Sequence, residues 1–424
     1  MEILDILKKE VKPALGCTGP ISVAFATSAA KDIVGGTPKK IRVIMDKDTY
    51  KNSIAVVTPG TVFRGVLEPA VLGAFYGQSK LGLEVLKNMK NPDEDFVRAF
   101  AQEHANIEIK WDYKGMGVYI EVYIETENGK GHVIVAKAHD YVVLAEKNGK
   151  VVHKEEGYDI NDLSFESQEP IRQFGIKDFY EFSKNVDIEK IFFLREALEL
   201  NQKLSDAGLK EKMGARFGLA FDKLNGNGTY LKAKMLAAAA SDARMSGKNL
   251  SAMSCAKSGN VGITASLPLR VVAEDYHKSE QELLRAVSLS YLLTIYIKSH
   301  IGRLSAMCAC AMAAGVGVAA GTSFLIDNDY NKIEMSINNV LGSIGGVLCD
   351  GAKFGCALKL SSAVGIALES AWLASMKTSI PKGDGIVCDS ADETIAMLGR
   401  IASKGMLETD VTMCREIITR ENNR

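Results

Sequence analysis

Hydrophobic and polar residues alternate most regularly between residues 107 and 146 of the chain. Within residues 118–126 the sequence VYIEVYIE places every second side chain on the same face, which is the periodicity of a β-strand. The turn sequences ENGKG and KNGK follow such segments, and turns with asparagine and glycine are typical of β-hairpins. The pattern predicts antiparallel strands over residues 107–111, 118–126, 132–138 and 141–146, and short β-branched strands over residues 41–45 and 54–57.

The first 35 residues have a helical pattern that is interrupted at Pro13 and again at residues 16–20. Thr18 is the predicted N-cap of the second of these helices, and Pro20 suits its first turn. Cys17 therefore lies at or just before a helix N-terminus, where the helix dipole favours a thiolate. Further helices are predicted at residues 68–80 and 93–105.

Beyond about residue 160 the pattern becomes helical almost throughout. The predicted helices span residues 187–206, 228–246, 265–298, 303–320, 330–345, 356–377 and 389–403. We therefore expect an α+β fold, with antiparallel strands and helices mixed in the N-terminal half and mainly a buried helical bundle in the C-terminal half. The predicted division is an α+β domain at residues 1–160, which carries the Cys17 loop, and a mainly α-helical domain at residues 161–424.

Composition narrows the classes of partner. The 424 residues are 47% hydrophobic, enough to bury at least one sizeable core, and the net charge is −1. Without bulk charge to attract a polyanion or a lipid surface, we expect no nucleic-acid partner and no membrane partner. The N-terminal segment has no apolar signal-peptide core, which predicts a cytoplasmic location. Residues 304–326 are uncharged and long enough to span a bilayer, but their small residues predict a buried core helix.

Cysteines supply the first candidate chemistry. In a reducing compartment, disulfides between the eight cysteines are not expected. An iron–sulfur cluster needs thiolates that converge from several chain positions, and the candidate ligands are Cys308, Cys310, Cys349 and Cys356. On one helix, Cys308 and Cys310 would point about 200° apart, so that only one would face a given site. Glycines between Cys349 and Cys356 allow the chain to bend there. From spacing alone, buried core cysteines are the more ordinary interpretation.

A second segment indicates anion binding. Ser258, Gly259, Asn260 and Gly262 precede a helix predicted from Thr264, and backbone N–H groups at a helix start bind carboxylates or phosphates. In the preceding helix, Arg244 either pairs with Asp242 or contacts a substrate carboxylate.

Three other residues are further candidates for the site. Lys257 raises the question of a pyridoxal phosphate Schiff base, but no long glycine-rich run accompanies it. His139 and His300 stand alone in the sequence and are more simply interpreted as satisfied core or surface residues.

Five segments together resemble the L-cysteine desulfidase family. They occur in the order of that family and cover nearly the whole chain. The segments are PALGCTGPISVAFA, AAAASDARMSG, SGNVGITASLP, HIGRLSAMCACAMAAGVGVAAG and GGVLCDGAKFGCALK. The last two also resemble, more distantly, the cluster-binding region of the iron–sulfur L-serine dehydratases.

The resemblance implies a 4Fe-4S cluster with one iron open to substrate. Its ligands would be Cys349, Cys356 and one of Cys308 or Cys310, and Cys17 would be a catalytic acid/base. The implied reaction is a non-redox β-elimination that converts L-cysteine to pyruvate, ammonia and hydrogen sulfide, with the cluster acting as a Lewis acid.

One departure from the family bears on the substrate. The family usually reads GCTEP, whereas Gly19 stands at the glutamate position here. If that glutamate tunes the cysteine or holds the substrate ammonium group, its role is moved or lost in this chain.

Three alternative functions stay open on the sequence. An iron–sulfur L-serine dehydratase would use the same cluster to expel hydroxide. A non-catalytic iron–sulfur or redox-sensing protein would use Cys17 as its reactive thiol. A small-molecule binding protein would hold no metal at all. The oligomeric state, including a homo-oligomer, is also left open.

Overall fold

The computed structural model describes residues 1–111, 113, 118–157, 169–224, 228–302 and 304–422. Strands and helices mix in the N-terminal half, whereas helices dominate the C-terminal half, which confirms the predicted α+β class. The strands are β1 Val11–Leu15, β2 Pro38–Asp46, β3 Ala105–Lys110, β4 Tyr119–Thr126, β5 Gly129–Ala136, β6 Val142–Lys147, β7 Lys150–Lys154 and β8 Ser251–Cys255.

Six of these strands form one sheet, in the order β3-β2-β4-β5-β6-β7. The hairpins β4–β5 and β5–β6 are antiparallel, as the alternating pattern predicts, and β7, a strand that the pattern does not predict, pairs antiparallel with β6. The pair β2–β3 is parallel. The strand predicted over residues 54–57 is wrong, because the Ile54 N–H donates to the carbonyl of Tyr50 and the segment continues as turns.

The helices of the N-terminal half are α1 Ile3–Glu10, α2 Thr18–Val34, α3 Lys47–Lys51, α4 Leu67–Tyr76 and α5 Glu94–His104. Of these, α2, α4 and α5 pack against the sheet. Helix α2 is almost wholly buried between the sheet and α4. A Cβ atom at Gly73 of α4 would lie 2.1 Å from the carbonyl oxygen of Ala24, so this glycine permits the close approach of the two helices.

The C-terminal half is a set of packed helices. They are α6 Ile176–Asn185, α7 Ile188–Ile191, α8 Leu194–Lys210, α9 Phe217–Asp222, α10 Thr229–Met245, α11 Gly259–Asp275, α12 Glu280–Ile301, α13 Gly315–Ile326, α14 Tyr330–Ile344, α15 Cys356–Ser375, α16 Ala391–Arg400 and α17 Leu407–Asn422. Short π-helical segments precede α13, at Cys310–Ala314, and follow α16, at Ile401–Gly405.

The single helix predicted over residues 265–298 is wrong, since the structure has two helices there. His277 adopts a left-handed conformation with φ of 51°, which ends the helical path after α11. Ser279 then caps α12, accepting the N–H of Glu282 while the Glu282 carboxylate accepts the N–H of Ser279.

A small ribbon joins the two halves. Strand β1 pairs antiparallel with β8, with Val11 opposite Cys255 and Leu15 opposite Ser251. Strand β1 leads directly into Cys17, and β8 leads into Ser258. The ribbon therefore links the two segments that the sequence singled out, although they lie about 240 residues apart in the chain.

Two large hydrophobic clusters form the core. One fills the sheet half between residues 14 and 145, and the other fills the helical half. Ile6 and Leu7 of α1 belong to the helical cluster, so the first turns of the chain pack on the C-terminal half. The division at residue 160 stays a prediction.

Helix α15 is, within the described residues, the one helix long and apolar enough to cross a membrane. More than half of its apolar window, 56%, is buried inside the protein, and core helices of soluble proteins pass the same test. Residues 311–325, which belong to the uncharged segment 304–326, are buried throughout.

Gly262 is expected to be essential for the packing of α11 on β8. A Cβ atom there would lie 2.0 Å from the carbonyl oxygen of Met253 and 3.0 Å from the amide nitrogen of Cys255. We predict that Gly262→Ala lowers the free energy of unfolding by about 3 kcal/mol, because the strand must move. Gly228→Ala is the control, since nothing lies within 4 Å of its added carbon, and should cost less than about 1 kcal/mol. Urea denaturation checks both, and equal losses would contradict the packing role.

Candidate functional site

A cavity of about 90 Å³ lies where the two halves meet. The sheet half contributes residues at the start of α2, in the turn after α3 and between β5 and β6, and the helical half contributes the rest. The lining residues are Cys17, Thr18, Asn52, His139, Arg244, Lys257, Ser258, Asn260, Val261, Lys298, Gly302, Leu304, Ser305, Met307, Cys308, Ala309, Cys310, Cys349, Gly351, Ala352 and Cys356. The cavity therefore unites Cys17, the four candidate ligands, Arg244 and part of the Ser258 segment.

Helices begin at this cavity from several directions. Cys17 is the N-cap of α2, Ser258 is the N-cap of α11, and Cys356 is the first residue of α15. The predicted N-cap Thr18 is thus wrong by one residue. Unpaired N–H groups at helix starts carry partial positive charge. The cavity is consequently suited to an anionic group.

Cys308 and Cys349 are held side by side by backbone hydrogen bonds. Met307 and Leu348 form an isolated antiparallel bridge, in which the Cys308 N–H donates to Val347 at 2.8 Å and the Cys349 N–H donates to Ala306 at 2.6 Å. Cys308 therefore precedes the helix that carries Cys310. The expectation that the two side chains point apart on one helix is wrong, because both line the cavity.

The bend predicted between Cys349 and Cys356 is present. Gly351 has φ of 88°, a conformation that other residues rarely adopt, and α15 starts only at Cys356. The Cys356 thiol lies 3.6 Å from the Gly351 carbonyl oxygen. Both cysteines thus reach the cavity from one loop.

The sulfur atoms are spread more widely than one zinc ion requires. Zinc bound to thiolates at about 2.3 Å would draw its sulfur ligands to within about 4 Å of one another. Within the described residues, no three cavity sulfurs lie mutually within 4.8 Å; the group that meets this limit is Asp48, Asp410 and Cys414. The donor set therefore fits a larger, polynuclear centre better than a single ion.

The raised pKa values of three cavity thiols also indicate that a cation is needed for these thiols to ionise. The hydrogen bond with Cys310 raises the pKa of Cys308 to about 12, and burial adds to this shift. The hydrogen bond with Cys308 and burial raise the pKa of Cys349 well above its ordinary value. Burial also raises the pKa of Cys356. Such thiols keep their protons unless a metal centre replaces them, so the residues present fit an iron–sulfur cluster.

Arg244 is a buried cation whose side chain is 3% exposed. Its Nη1 donates to Asn260 Oδ1 at 3.1 Å and its Nη2 donates to the Gly16 carbonyl, while its Nε has no partner. Burial lowers the pKa of Arg244, and the neighbouring thiols of Cys17, Cys310 and Cys356 counteract this. No carboxylate among the described residues pairs with it. A buried guanidinium of this kind requires an anion in the cavity.

Asp242, the alternative partner for Arg244, turns away from the cavity. Its Oδ2 accepts the N–H of Gly218 at 2.9 Å and so holds the turn before α9. Burial raises the pKa of Asp242 to about 6. The pairing of Arg244 with Asp242 is therefore excluded by the structure.

The Ser258 segment divides into lining and packing residues. The predicted helix start at Thr264 is wrong, because α11 begins at Gly259. Ser258 and Asn260 line the cavity. Gly259 packs under the guanidinium, since a Cβ atom there would lie 2.4 Å from Arg244 Nε. Gly262 lies outside the lining and packs on β8.

Three other polar residues, which the sequence offered as candidates, lie in or near the cavity or apart from it. Lys257 forms an ion pair with Asp140 at 3.2 Å, at the edge of the cavity. His139 lines the cavity, whereas His300 does not, and burial lowers the pKa of His300 to about 4.

Asn52 is a site residue that sequence reasoning missed. Its carbonyl oxygen lies 3.6 Å from the Cys17 thiol, which donates to it, and its side chain donates to the Asp48 carbonyl at 2.8 Å. It follows α3, a five-residue helix without a clear signal in the sequence. Only the tertiary approach of α3 to α2 brings it to Cys17.

Gly19 faces this same segment. A Cβ atom at Gly19 would lie 2.6 Å from Ser53 Oγ and 3.0 Å from the Asn52 carbonyl oxygen. The turn after α3 thus occupies the space into which a side chain at position 19 would extend. Within the described residues, no aspartate or glutamate lines the cavity.

Comparison with known proteins places this geometry in a family. Residues 80–415 match the family described as serine dehydratase alpha chain. A UPF0597 protein of Clostridium tetani is 38% identical over 422 residues, which cover 99% of each chain. UPF0597 proteins of Caldanaerobacter subterraneus and Clostridium botulinum are 38% and 39% identical, with 96% of each chain covered.

The name UPF0597 states no activity. The matched residues include the four clustered cysteines, Arg244 and the start of α11, whereas Cys17 and Asn52 precede them. The chain belongs to the serine dehydratase alpha chain family.

Proposed function

We propose that this protein is an iron–sulfur lyase that eliminates hydrogen sulfide from L-cysteine. The observation that carries the proposal is the meeting, in a single cavity, of five cysteine thiols and the buried guanidinium of Arg244, whose Nε has no partner. Membership in a dehydratase family supports a β-elimination, since a dehydratase expels a group from the carbon next to the acidic Cα–H.

Three cysteines would hold a 4Fe-4S cluster: Cys349, Cys356 and one of Cys308 or Cys310. Such a cluster supplies Lewis acidity toward the leaving group of the substrate when one iron lacks a protein ligand. Both members of the 308/310 pair line the cavity, so the third ligand is decided by measurement.

Arg244 and the start of α11 would bind the substrate carboxylate. The Nε of Arg244 has no partner, and the N–H groups at a helix start are free of intrahelical bonds. Asn260 fixes the guanidinium by accepting from Nη1. This arrangement would hold the substrate carboxylate close to Cys17.

Cys17 would act as the base that removes the Cα proton. It lies beside Arg244, which provides the counter-charge that a thiolate needs in a buried site. The proton moves from Cα to Cys17 Sγ, the Cα–H electron pair forms the C=C bond, and the Cβ–S bond breaks to release sulfide. Water then hydrolyses the aminoacrylate to pyruvate and ammonia.

The missing carboxylate at position 19 bears on the ammonium group of the substrate. With no acidic lining residue in the described part of the cavity, neutral oxygen acceptors would hold that group, and the carbonyl oxygen of Asn52, 3.6 Å from the Cys17 thiol, is one candidate. The protein would therefore recognise its substrate mainly by the carboxylate and the leaving group.

The second candidate function is an L-serine dehydratase, which the family description favours. The same residues would serve, with hydroxide instead of sulfide as the leaving group. Parallel assays of the anaerobically reconstituted protein with L-cysteine and L-serine decide between the two. Sulfide and pyruvate released in equal amounts from L-cysteine support the proposal, whereas pyruvate from L-serine alone would assign the dehydratase.

Loss of a ligand should abolish the cluster. We predict that Cys349→Ala and Cys356→Ala retain little iron and acid-labile sulfide after reconstitution, because three thiolates are needed to hold it. Of Cys308→Ala and Cys310→Ala, only one should lose the cluster. Cys388→Ala lies outside the cavity and is the control. Full iron content in Cys349→Ala would exclude this residue as a ligand.

Cys17→Ser should separate catalysis from cluster binding. We predict that kcat falls at least about 100-fold while iron content and absorption stay at the wild-type level, because a serine hydroxyl is a far weaker base. Steady-state sulfide release measures kcat, and Cys388→Ser controls for the exchange of sulfur for oxygen. A decrease of less than about tenfold would remove Cys17 from the role of base.

A further inference from the structure

A short helix behind the cavity connects the site to the C-terminal helix. Helix α3 is anchored to the sheet by Asp46, whose carboxylate accepts the N–H groups of Asp48 and Thr49 and, from the neighbouring strand, of Tyr119. Its last residue is Lys51, and the next residue is Asn52 of the cavity. Any displacement of α3 would therefore be transmitted to the cavity wall.

Lys51 ends this helix with a buried ammonium group. Its side chain is 1% exposed, and its Nζ lies 2.5 Å from Asp410 Oδ1 and 3.2 Å from Asp48 Oδ1. Lys47 forms ion pairs with the same two carboxylates. Asp410 belongs to α17, so the C-terminal helix closes the network.

Two ammonium groups and two carboxylates balance one another in this network. The oxygen atoms of Asp48 and Asp410 lie close enough to Cys414 Sγ to suggest a metal site. Because both carboxylates are already paired with Lys47 and Lys51, an additional cation is not needed there. The network is instead a fixed arrangement of charge beside the cavity.

The backbone and the Cγ atom of Lys51 contact the loop that carries Cys349. A Cβ atom at Gly351 would lie 2.3 Å from the Lys51 carbonyl oxygen and 3.2 Å from its Cγ, so the loop rests directly on Lys51. Burial opposes the charge on Lys51, yet Asp48, Cys349 and Asp410 together raise its pKa. Lys51 in turn favours the thiolate of Cys349. Lys51 thus lies between Asp410 and the loop that carries Cys349.

We propose that Lys51 is a positioning residue for the metal centre, holding the Cys349 thiolate in place with a buried positive charge that Asp410 fixes. This inference rests on the proposed function, because it requires the cluster. A group next to a metal ligand controls the affinity and the electronic properties of the centre. The C-terminal helix, which the sequence pattern did not indicate, would thereby belong to the site.

The sign of a charge at this position determines whether the reduction potential of the cluster rises or falls. Reduction adds negative charge, so a neighbouring ammonium group raises the reduction potential. Removing the ammonium should lower the potential, and removing the neighbouring carboxylate should raise it. A purely structural role would not give shifts of opposite sign.

The test uses full-length protein reconstituted without oxygen. Lys51→Met should move the potential of the cluster to a more negative value, and Asp410→Asn should move it to a more positive one, as followed by electron paramagnetic resonance during a redox titration. Lys51→Met should also lose iron to a chelator at least about tenfold faster than wild type. Lys51→Arg retains the charge and should restore most of both properties.

Lys47→Met is the matched control, because it removes the same charge from the same network, whereas it is Lys51 on which the loop that carries Cys349 rests. Its shift should be smaller than that of Lys51→Met. Equal shifts in the two lysine variants, or an unchanged potential and unchanged iron loss in Lys51→Met, would overturn the role of Lys51. If Asp410→Asn does not fold, the two lysine variants still decide the question.

The failure of this inference and the failure of the proposed function give different results. A wild-type protein that takes up no iron overturns both. A wild-type protein that binds the cluster while Lys51→Met behaves like Lys47→Met overturns the role of Lys51 and leaves the proposed function standing.

Discussion

The positive charge of Arg244 has to be balanced inside a closed cavity. Burying a guanidinium removes it from water, and this cost is normally offset by a carboxylate. Within the described residues no carboxylate pairs with Arg244, and the acidic groups nearest to it are thiols. The Cys308 and Cys349 thiols in the same cavity are buried and hydrogen-bonded to neighbouring thiols, which raises their pKa, so that they hold their protons in the absence of a cation. A metal centre bound by thiolates, together with a substrate carboxylate, would satisfy both sides of this imbalance.

Elements from both halves of the chain meet at this cavity. The β1–β8 ribbon links the segments of Cys17 and Ser258, while α3 brings Asn52 to the cavity and contacts the loop before α15. Helices that begin at the cavity direct their N–H groups into it. Because these elements come from distant parts of the sequence, the site can form only when the sheet half and the helical half have packed together.

Individual strands and helices could be predicted from the sequence better than the way in which they pair and pack. The hairpins of β4 to β7 follow from strict alternation and from asparagine–glycine turns, although β7 itself was not predicted. The parallel pairing of β2 with β3 has no local signal, since it depends on how α5 returns the chain. The break at His277 was missed because hydrophobic residues continue on both sides of it.

The candidate site shows the same limit. The four cysteines and Arg244 were identified by residue type, and the structure brings them together. Cys308 was placed on a helix because the segment after it is helical, whereas a backbone bridge at Met307 keeps it extended. Asn52 and Lys51 could not be found, because their roles come from contacts with α2, α17 and the Gly351 loop rather than from any motif.

We expect the cavity to hold a cluster with one iron free to bind substrate. Mössbauer spectroscopy of protein reconstituted with ⁵⁷Fe, recorded with and without L-cysteine, can distinguish that iron from the other three. We predict a 4Fe-4S spectrum in which the signal of a single iron changes when L-cysteine is added. A protein without bound iron, or a cluster whose spectrum is unaltered by L-cysteine, would exclude this mode of substrate binding.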